Sequence, residues 1–440
     1  MNSRQLMMSA TKRGETGRVR RLAVVTVAGA LLATGVAAVP ATAATRTADP
    51  GTSGLDRQAL RQTLDAVHEA GMYGIYSEAR DGGRTWEGAS GVADVDTGRP
   101  VGPDMVHRVG SITKSFTSVA VLQQVARGTV ELDAPVGRYL PGLIPGERGQ
   151  RITVRMLLNH TSHIADYVGL VFPSLLQPSG QSLDDNRFRR FTAEDLVEPA
   201  LAAPPTGEPG VLPGSYSNTN YVILGMLLQK VTGEDAQQYI TRNVIRKAGL
   251  RHTSFPRTPH IPGPHSKAYE SLYGFIDPPR DYSVYDMSWA GPAGAITSTM
   301  DDLNRFYRAL LRGELIGAAQ LAEMQKTVPV LVGGVAALDY GLGLYSLDLP
   351  CGRFWGHDGG VFGMITQSLS TPDGKRQISI GLNRAKYQRI DENGNLEPSP
   401  IDAAMVQHLL VALCGTSQAT AKAAAPSFVP FPADRVTIKR

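Results

Sequence analysis

The sequence predicts an α/β (α+β) fold: an antiparallel sheet flanked by helices, with a mostly helical domain inserted in the middle of the chain. Three observations carry that reading. Strand-like segments occur early and late in the sequence, the region between them reads as helix and loop, and 42% of the 440 residues are hydrophobic, enough to bury a large core. A sheet built from both chain ends places the sheet domain at 56–140 and 285–415 and the helical insert at 141–284. No internal repeat is visible.

Taken in order, the elements follow from periodicity and punctuation. Asp56 to Ala70 has helical spacing through Leu60, Leu64 and Val67. Tyr73 to Arg80 and Thr85 to Val92 read as two strands around Asp81-Gly-Gly83. An apolar helix follows from Gly110 and stops at Gly128. Thr192-Ala-Glu-Asp195 has the form of an acidic capping box. Asn220 to Val231 is strongly apolar and ends at Gly233, and a Pro-rich aromatic loop region runs from Phe255 to Tyr285. Thr299-Met-Asp-Asp302 opens an amphipathic helix through Leu311. Strands then return at Tyr340 to Leu349, at Arg353 to Trp355 and beyond, and at Phe362 to Ser370, which turns at Pro372-Asp-Gly374 into Gln377 to Leu382. Ser399-Pro400 supplies an N-cap and a proline at the first helical position for a closing helix to Leu413.

The chain's formal charge of +4 misleads. Residues 1–43 hold Arg4, Lys12, Arg13, Arg18, Arg20 and Arg21 against Glu15 alone, and without them 38 basic residues face 39 acidic ones. That balance argues against nucleic acid as a partner. The same segment reads as a secretory signal: a basic region, a small apolar run from Leu22 to Val39, and an A-x-A site at Ala41-Thr-Ala43. We expect a linker over 44–55, a mature protein that is secreted and extracellular or cell-wall associated, no membrane span after cleavage, and a disordered Ala- and Pro-rich tail over 416–440. Cys351 and Cys414 would then meet an oxidising compartment, either bridged or as two separate buried thiols.

Chemistry enters at Gly110-Ser-Ile-Thr-Lys-Ser-Phe116. Residues three apart on a helix share a face, so Lys114 can reach the Ser111 hydroxyl, which is a weak nucleophile until a base takes its proton. The helix N-terminus adds unpaired N–H groups suited to an oxyanion. A Ser-x-x-Lys spacing alone arises by chance about once in a chain of this length. Two further groups stand in register with it. Gly214-Ser-Tyr216-Ser-Asn218 offers a phenol and an amide just before an apolar helix, and Trp355-Gly-His357-Asp-Gly359-Gly360 places a histidine beside glycines that let another backbone approach closely. His252, His260 and His265 lie in a Pro-rich loop without a carboxylate or cysteine pattern, so no metal is expected, and without a Gly-rich phosphate loop no nucleotide or other cofactor is either. His160, in Leu157-Leu-Asn-His-Thr-Ser162, reads as a loop-fixing residue.

In this order, Ser-x-x-Lys, Tyr-x-Asn and a His-containing triplet ending in Gly, the motifs resemble those of the penicillin-recognising serine hydrolases. The likeness spans about 56–415 and is close to the secreted D-alanyl-D-alanine carboxypeptidase of actinomycetes and the class C β-lactamases, through Ser288-Trp-Ala290, Ala293-Gly-Ala295, Leu140-Pro-Gly-Leu143 and Ile152-Thr-Val-Arg155 as well. It implies a β-lactamase/transpeptidase-like fold and an acyl-enzyme mechanism. Ser111, Lys114 and Tyr216 would be catalytic, and Asn218, Trp289, His357, Gly359 and Gly360 would bind substrate. The N–H groups of Ser111 and Gly360 would form an oxyanion hole. The resemblance also implies a Cys351–Cys414 disulfide. D-Ala-D-Ala carboxypeptidase activity on a peptide or small-molecule substrate, by a monomer, is the leading expectation. A class C-like β-lactamase, an esterase, a D-amino-acid amidase and a non-catalytic β-lactam sensor or cell-wall binding module are the alternatives. The chain departs from that carboxypeptidase where hydroxyl residues are replaced by Asp358 and Gly360, and where Leu344-Tyr345 replaces an arginine. Asp358 is expected near the terminal carboxylate of a D-Ala-D-Ala peptide, where it would repel it.

Overall fold

Asp56 starts the first helix, α1 (Arg57–Glu69), its carboxylate accepting the Ala59 N–H at 3.0 Å. The computed structural model describes residues 54–177, 179–334, 336–392 and 396–416. The expected leader at 1–43, the linker up to residue 53 and the tail from 417 lie outside the described residues. No helix among the described residues is long and apolar enough to cross a membrane.

Ten strands form the main sheet: β1 (Gly74–Asp81), β2 (Arg84–Asp94), β3 (Arg99–Pro100), β4 (Gly214–Ser215), β5 (Val328–Val332), β6 (Ala336–Tyr340), β7 (Tyr345–Leu349), β8 (Gly352–Val361), β9 (Met364–Ser370) and β10 (Arg376–Leu382). Their spatial order is β3-β2-β1-β10-β9-β8-β7-β6-β5-β4. The two ends of the chain meet where β1 pairs antiparallel with β10, Ile75 opposite Leu382. Every pairing is antiparallel except the last, where the short edge strand β4 runs parallel to β5, so the expected antiparallel sheet carries one parallel edge.

The expected strand over 340–349 is two strands. The chain turns between β6 and β7, because Gly343 adopts φ +86°, a conformation side chains avoid. A Cβ there would also overlap the Ser118 hydroxyl, so the turn packs directly on the helix below it. Strand β5 escaped the sequence reading because Pro329 interrupts its pattern.

The two faces of the sheet are covered differently. On one, α1 and the closing helix α5 (Pro400–Cys414) bury Leu60, Leu64, Met405 and Leu409 against Ile75, Ile378 and Ile380. On the other, α2 (Thr113–Ala126), α3 (Asn218–Thr232) and α4 (Met300–Leu311) form the larger core, with Phe116 of α2 stacked on Phe306 of α4 at 3.7 Å. Helix α3 ends as expected at Gly233 in the left-handed conformation. Cys351 and Cys414 are joined in a disulfide across 63 residues, tying the start of β8 to the end of α5.

Candidate active site

Gly110 begins the site. Its φ of +55° swings the chain into a single 3₁₀ turn, Gly110–Ile112, that leads straight into α2. The three-residue spacing then brings Lys114 Nζ to 2.9 Å from Ser111 Oγ. Two more acceptors hold the lysine, Asn218 Oδ1 at 2.7 Å and the Ala293 carbonyl at 2.8 Å. Lys114 is fully buried, and desolvation lowers its ammonium from an ordinary 10.5 to about 7, against the opposing pull of Asp166 and Asp358. Near neutral pH much of the amine is therefore uncharged. A neutral amine has two N–H groups for Asn218 and Ala293, which leaves its lone pair for the Ser111 hydroxyl.

Strand β8 presses against the turn from the other side. A Cβ on Gly359 would overlap the Val109 carbonyl oxygen and lie 2.7 Å from the Ser111 nitrogen. A Cβ on Gly110 would lie 2.7 Å from the Gly360 nitrogen. Glycine is required at both positions because two backbones meet there, and the result is that Gly360 and Ser111 stand side by side at the cleft.

Tyr216 and Asn218 are placed by β4. Its pairing with β5 continues in a bond from the Tyr216 N–H to the Leu331 carbonyl at 2.9 Å, and Asn218 opens α3. Burial holds the Tyr216 phenol well above its usual range, with the nearby Ser111 hydroxyl pulling the other way. The phenol faces Ser111 without completing a hydrogen bond to it. His160 does fix this loop: its Nδ1 accepts the Ser217 N–H at 3.2 Å and its ring lies 4.2 Å from that of Tyr216.

The cleft above Ser111 has a volume of about 620 Å³ and is lined by Tyr216, Asn218, Trp289 and Gly360 among the expected residues. A larger groove of about 1260 Å³ runs over the helices past Arg190, Lys230 and Arg257, and contains none of them. Lys114 lies behind Ser111, and two of the expected substrate-binding residues are not in the cleft wall either. Gly359 lies beneath the Ser111 turn. His357 is fully buried behind Tyr216, its Nε2 2.9 Å from the Tyr340 hydroxyl, and burial with the nearby Lys114 charge holds it down to about 3, so it is neutral at working pH. The Asp358 carboxylate is likewise fully buried and absent from the lining, as is Tyr345, whose hydroxyl accepts from Gln367 Nε2 at 2.8 Å. The expected repulsion between Asp358 and a substrate carboxylate is therefore not part of this cleft.

Among the lining residues that the sequence analysis did not name, three carry aromatic or charged groups that bear on substrate choice. Phe362 packs 4.9 Å from Trp289 and 5.6 Å from Phe172, building an apolar wall. Its signal was an aromatic residue directly after the Gly359-Gly360-Val361 run. Lys386 reaches the lining from beyond β10 and stands 3.5 Å from Glu270. Asp166 lines the cleft too, its Oδ2 accepting Asn218 Nδ2 at 2.9 Å. An acidic residue inside the apolar stretch Ile164 to Val168 was the available hint.

Residues 57–387 match the Beta-lactamase family. Among solved structures, a D-stereospecific amidohydrolase from Streptomyces sp. superposes with a TM-score of 0.70 at 36% identity, covering 82% of this chain and 99% of that one. Among curated proteins, "Penicillin-binding protein 4*" of Bacillus subtilis (strain 168) is 26% identical over 80% of this chain and 75% of its own length. A D-aminopeptidase of Cereibacter sphaeroides is 27% identical over 75% of this chain, which spans 60% of that protein.

Proposed function

This chain belongs to the Beta-lactamase family of serine hydrolases, and from that premise we propose that it is an exported enzyme that cleaves amide bonds of D-amino-acid substrates through an acyl-enzyme on Ser111. The observation that carries the chemistry is the buried Lys114 amine, lowered to about 7 and 2.9 Å from the Ser111 hydroxyl. Lys114 takes the hydroxyl proton as Oγ attacks the carbonyl carbon. The N–H groups of Ser111 and Gly360 hold the developing oxyanion. Tyr216, kept protonated by burial, gives its proton to the departing nitrogen and regains one from the Lys114 ammonium, which lies 5.0 Å from its ring. Water then repeats the sequence in reverse to release the acid. Asn218 holds Lys114 and presents its amide to the substrate.

Preference for D-amino-acid amides and peptides is supported by the 36%-identical Streptomyces amidohydrolase and by the D-aminopeptidase relative, and Trp289 with Phe362 fits an apolar side chain. Export is supported by the leader-like sequence at 1–43 and the Cys351–Cys414 disulfide. One observation favours the second reading, a D-Ala-D-Ala carboxypeptidase: the Lys386 ammonium is a cation in the cleft wall that could meet a substrate carboxylate. The deciding experiment compares kcat/KM for D-phenylalanine amide, L-phenylalanine amide and an acyl-D-Ala-D-Ala peptide. The first reading expects the D-amide to lead by at least about 10-fold over both; a lead for the acyl peptide selects the second, and equal D and L rates reject stereospecificity.

A further inference from the structure

Asp166 is the only carboxylate among the described residues that line the cleft. It sits in a loop held against the start of α3, where its Oδ1 accepts the Val168 N–H at 3.2 Å and its Oδ2 accepts Asn218 Nδ2 at 2.9 Å. The chain of contacts continues from Asn218 Oδ1 to Lys114 Nζ and on to Ser111 Oγ, so the carboxylate lies two side chains from the nucleophile. Among the described residues no ion pair neutralises it, and the ammonium that acts on it, Lys114, is itself only part-charged near pH 7. The donors on the carboxylate are all neutral, the Val168 N–H and the side-chain and backbone N–H groups of Asn218, and they leave acceptor capacity for one more donor.

A half-buried carboxylate in a binding cleft, with no ion pair among the described residues and with desolvation raising it above the ordinary carboxyl range, gains when something cationic fills the site beside it. The other charged group in the lining, Lys386, has Glu270 beside it, so a positive ligand meets its uncompensated counter-charge at Asp166. In an amino-acid amide the α-ammonium is one carbon from the scissile carbonyl, so it must find its partner on the same cleft floor as Ser111. We infer that Asp166 is a specificity-determining residue that binds the free α-ammonium of the substrate, selecting amides and peptides with an unblocked amino terminus over N-acylated ones. This rests on the D-amide reading above and narrows it to a substrate class.

The alternative role for Asp166 is positioning alone, by fixing the Asn218 amide so that its oxygen faces Lys114. The two roles separate in a ratio. The test measures kcat/KM for D-phenylalanine p-nitroanilide and for its N-acetyl form, in the full chain and in Asp166→Asn, which keeps an acceptor for Asn218 but removes the charge. Asp166→Glu serves as the conservative rescue, and circular dichroism with thermal unfolding verifies that each variant is folded. The expected result is a preference for the free amine of about 10- to 100-fold, the range of a charge-assisted hydrogen bond, that collapses toward unity in Asp166→Asn and returns in part in Asp166→Glu. A chain that prefers the N-acetyl substrate, or an Asp166→Asn variant that slows both substrates alike and keeps their ratio, overturns the inference while leaving the D-amide reading standing. If neither anilide is cleaved while p-nitrophenyl acetate still acylates Ser111, the D-amide reading has failed and this inference with it.

Discussion

The floor and the walls of the cleft are built on different principles. The floor is Ser111, Lys114 and Asn218, joined by bonds of 2.7–2.9 Å, with Lys114 fully buried and two glycines packed backbone to backbone beneath it. The walls are Trp289, Phe362, Leu170 and Leu176, large apolar groups on loops and short turns, with Leu170 and Leu176 about 40% exposed. Reaction chemistry needs fixed distances and a shifted pKa, and the floor supplies both. Substrate choice needs shape and charge, which the walls and Asp166 supply, Asp166 being joined to the floor through its bond from Asn218. Changes to the floor should therefore abolish turnover for every substrate, and changes to the walls should redistribute it among substrates.

The largest expected effect is at the floor. Ser111→Ala should reduce kcat on the order of 10⁶-fold for amide and ester alike, as for a nucleophile whose partners act as a unit, with unchanged circular dichroism. Lys114→Ala should cost roughly 10²–10⁴-fold. The pH profile sharpens that claim. Because the neutral amine is the working form and burial has lowered Lys114 to about 7, kcat/KM should fall as pH drops through about 7, and Lys114→Ala should lose that limb. A limb left in place by the substitution would assign the titration to another group.

At the walls, Phe362→Ala should lower kcat/KM for D-phenylalanine amide by roughly 10- to 100-fold, since truncating a buried aromatic removes apolar contact worth about 1.5–3 kcal/mol, and should change D-alanine amide far less. An equal loss on both substrates would place Phe362 in the floor's support and break the division. The smallest effect on turnover is expected at the disulfide. Cys351→Ser with Cys414→Ser should lower stability by about 4 kcal/mol in the chain-entropy account, read by denaturant unfolding, with kcat/KM nearly unchanged, because the bridge joins β8 to α5 on the sheet face away from Ser111.

The same division explains what could be read in the sequence. Ser111, Lys114, Tyr216 and Asn218 were legible because local spacing fixes them: three residues on a helix, two before one. The glycines were legible as points of close approach, and Gly359 does meet the Ser111 turn. The sheet's assembly from both chain ends followed from strand patterns alone, with β1 beside β10. What failed was the direction of a side chain on a strand and the reach of a loop. His357 and Asp358 share a motif with Gly360, yet the packing of β8 between two covered faces buries both, and no local rule says which neighbours close over them. Phe362, Lys386 and Asp166 come from three distant segments, and only tertiary contact brings them to one cleft.

The central claim is that the Ser111 hydroxyl, activated by Lys114, carries the acyl group. Acid-quenched intact-protein mass spectrometry during turnover of p-nitrophenyl acetate tests it most directly. One acetyl adduct per chain, mapped to the peptide containing Ser111, delayed in Lys114→Ala and absent in Ser111→Ala, is the predicted result. An adduct on any other residue, or nitrophenol release that persists at the full rate in Ser111→Ala, would contradict it.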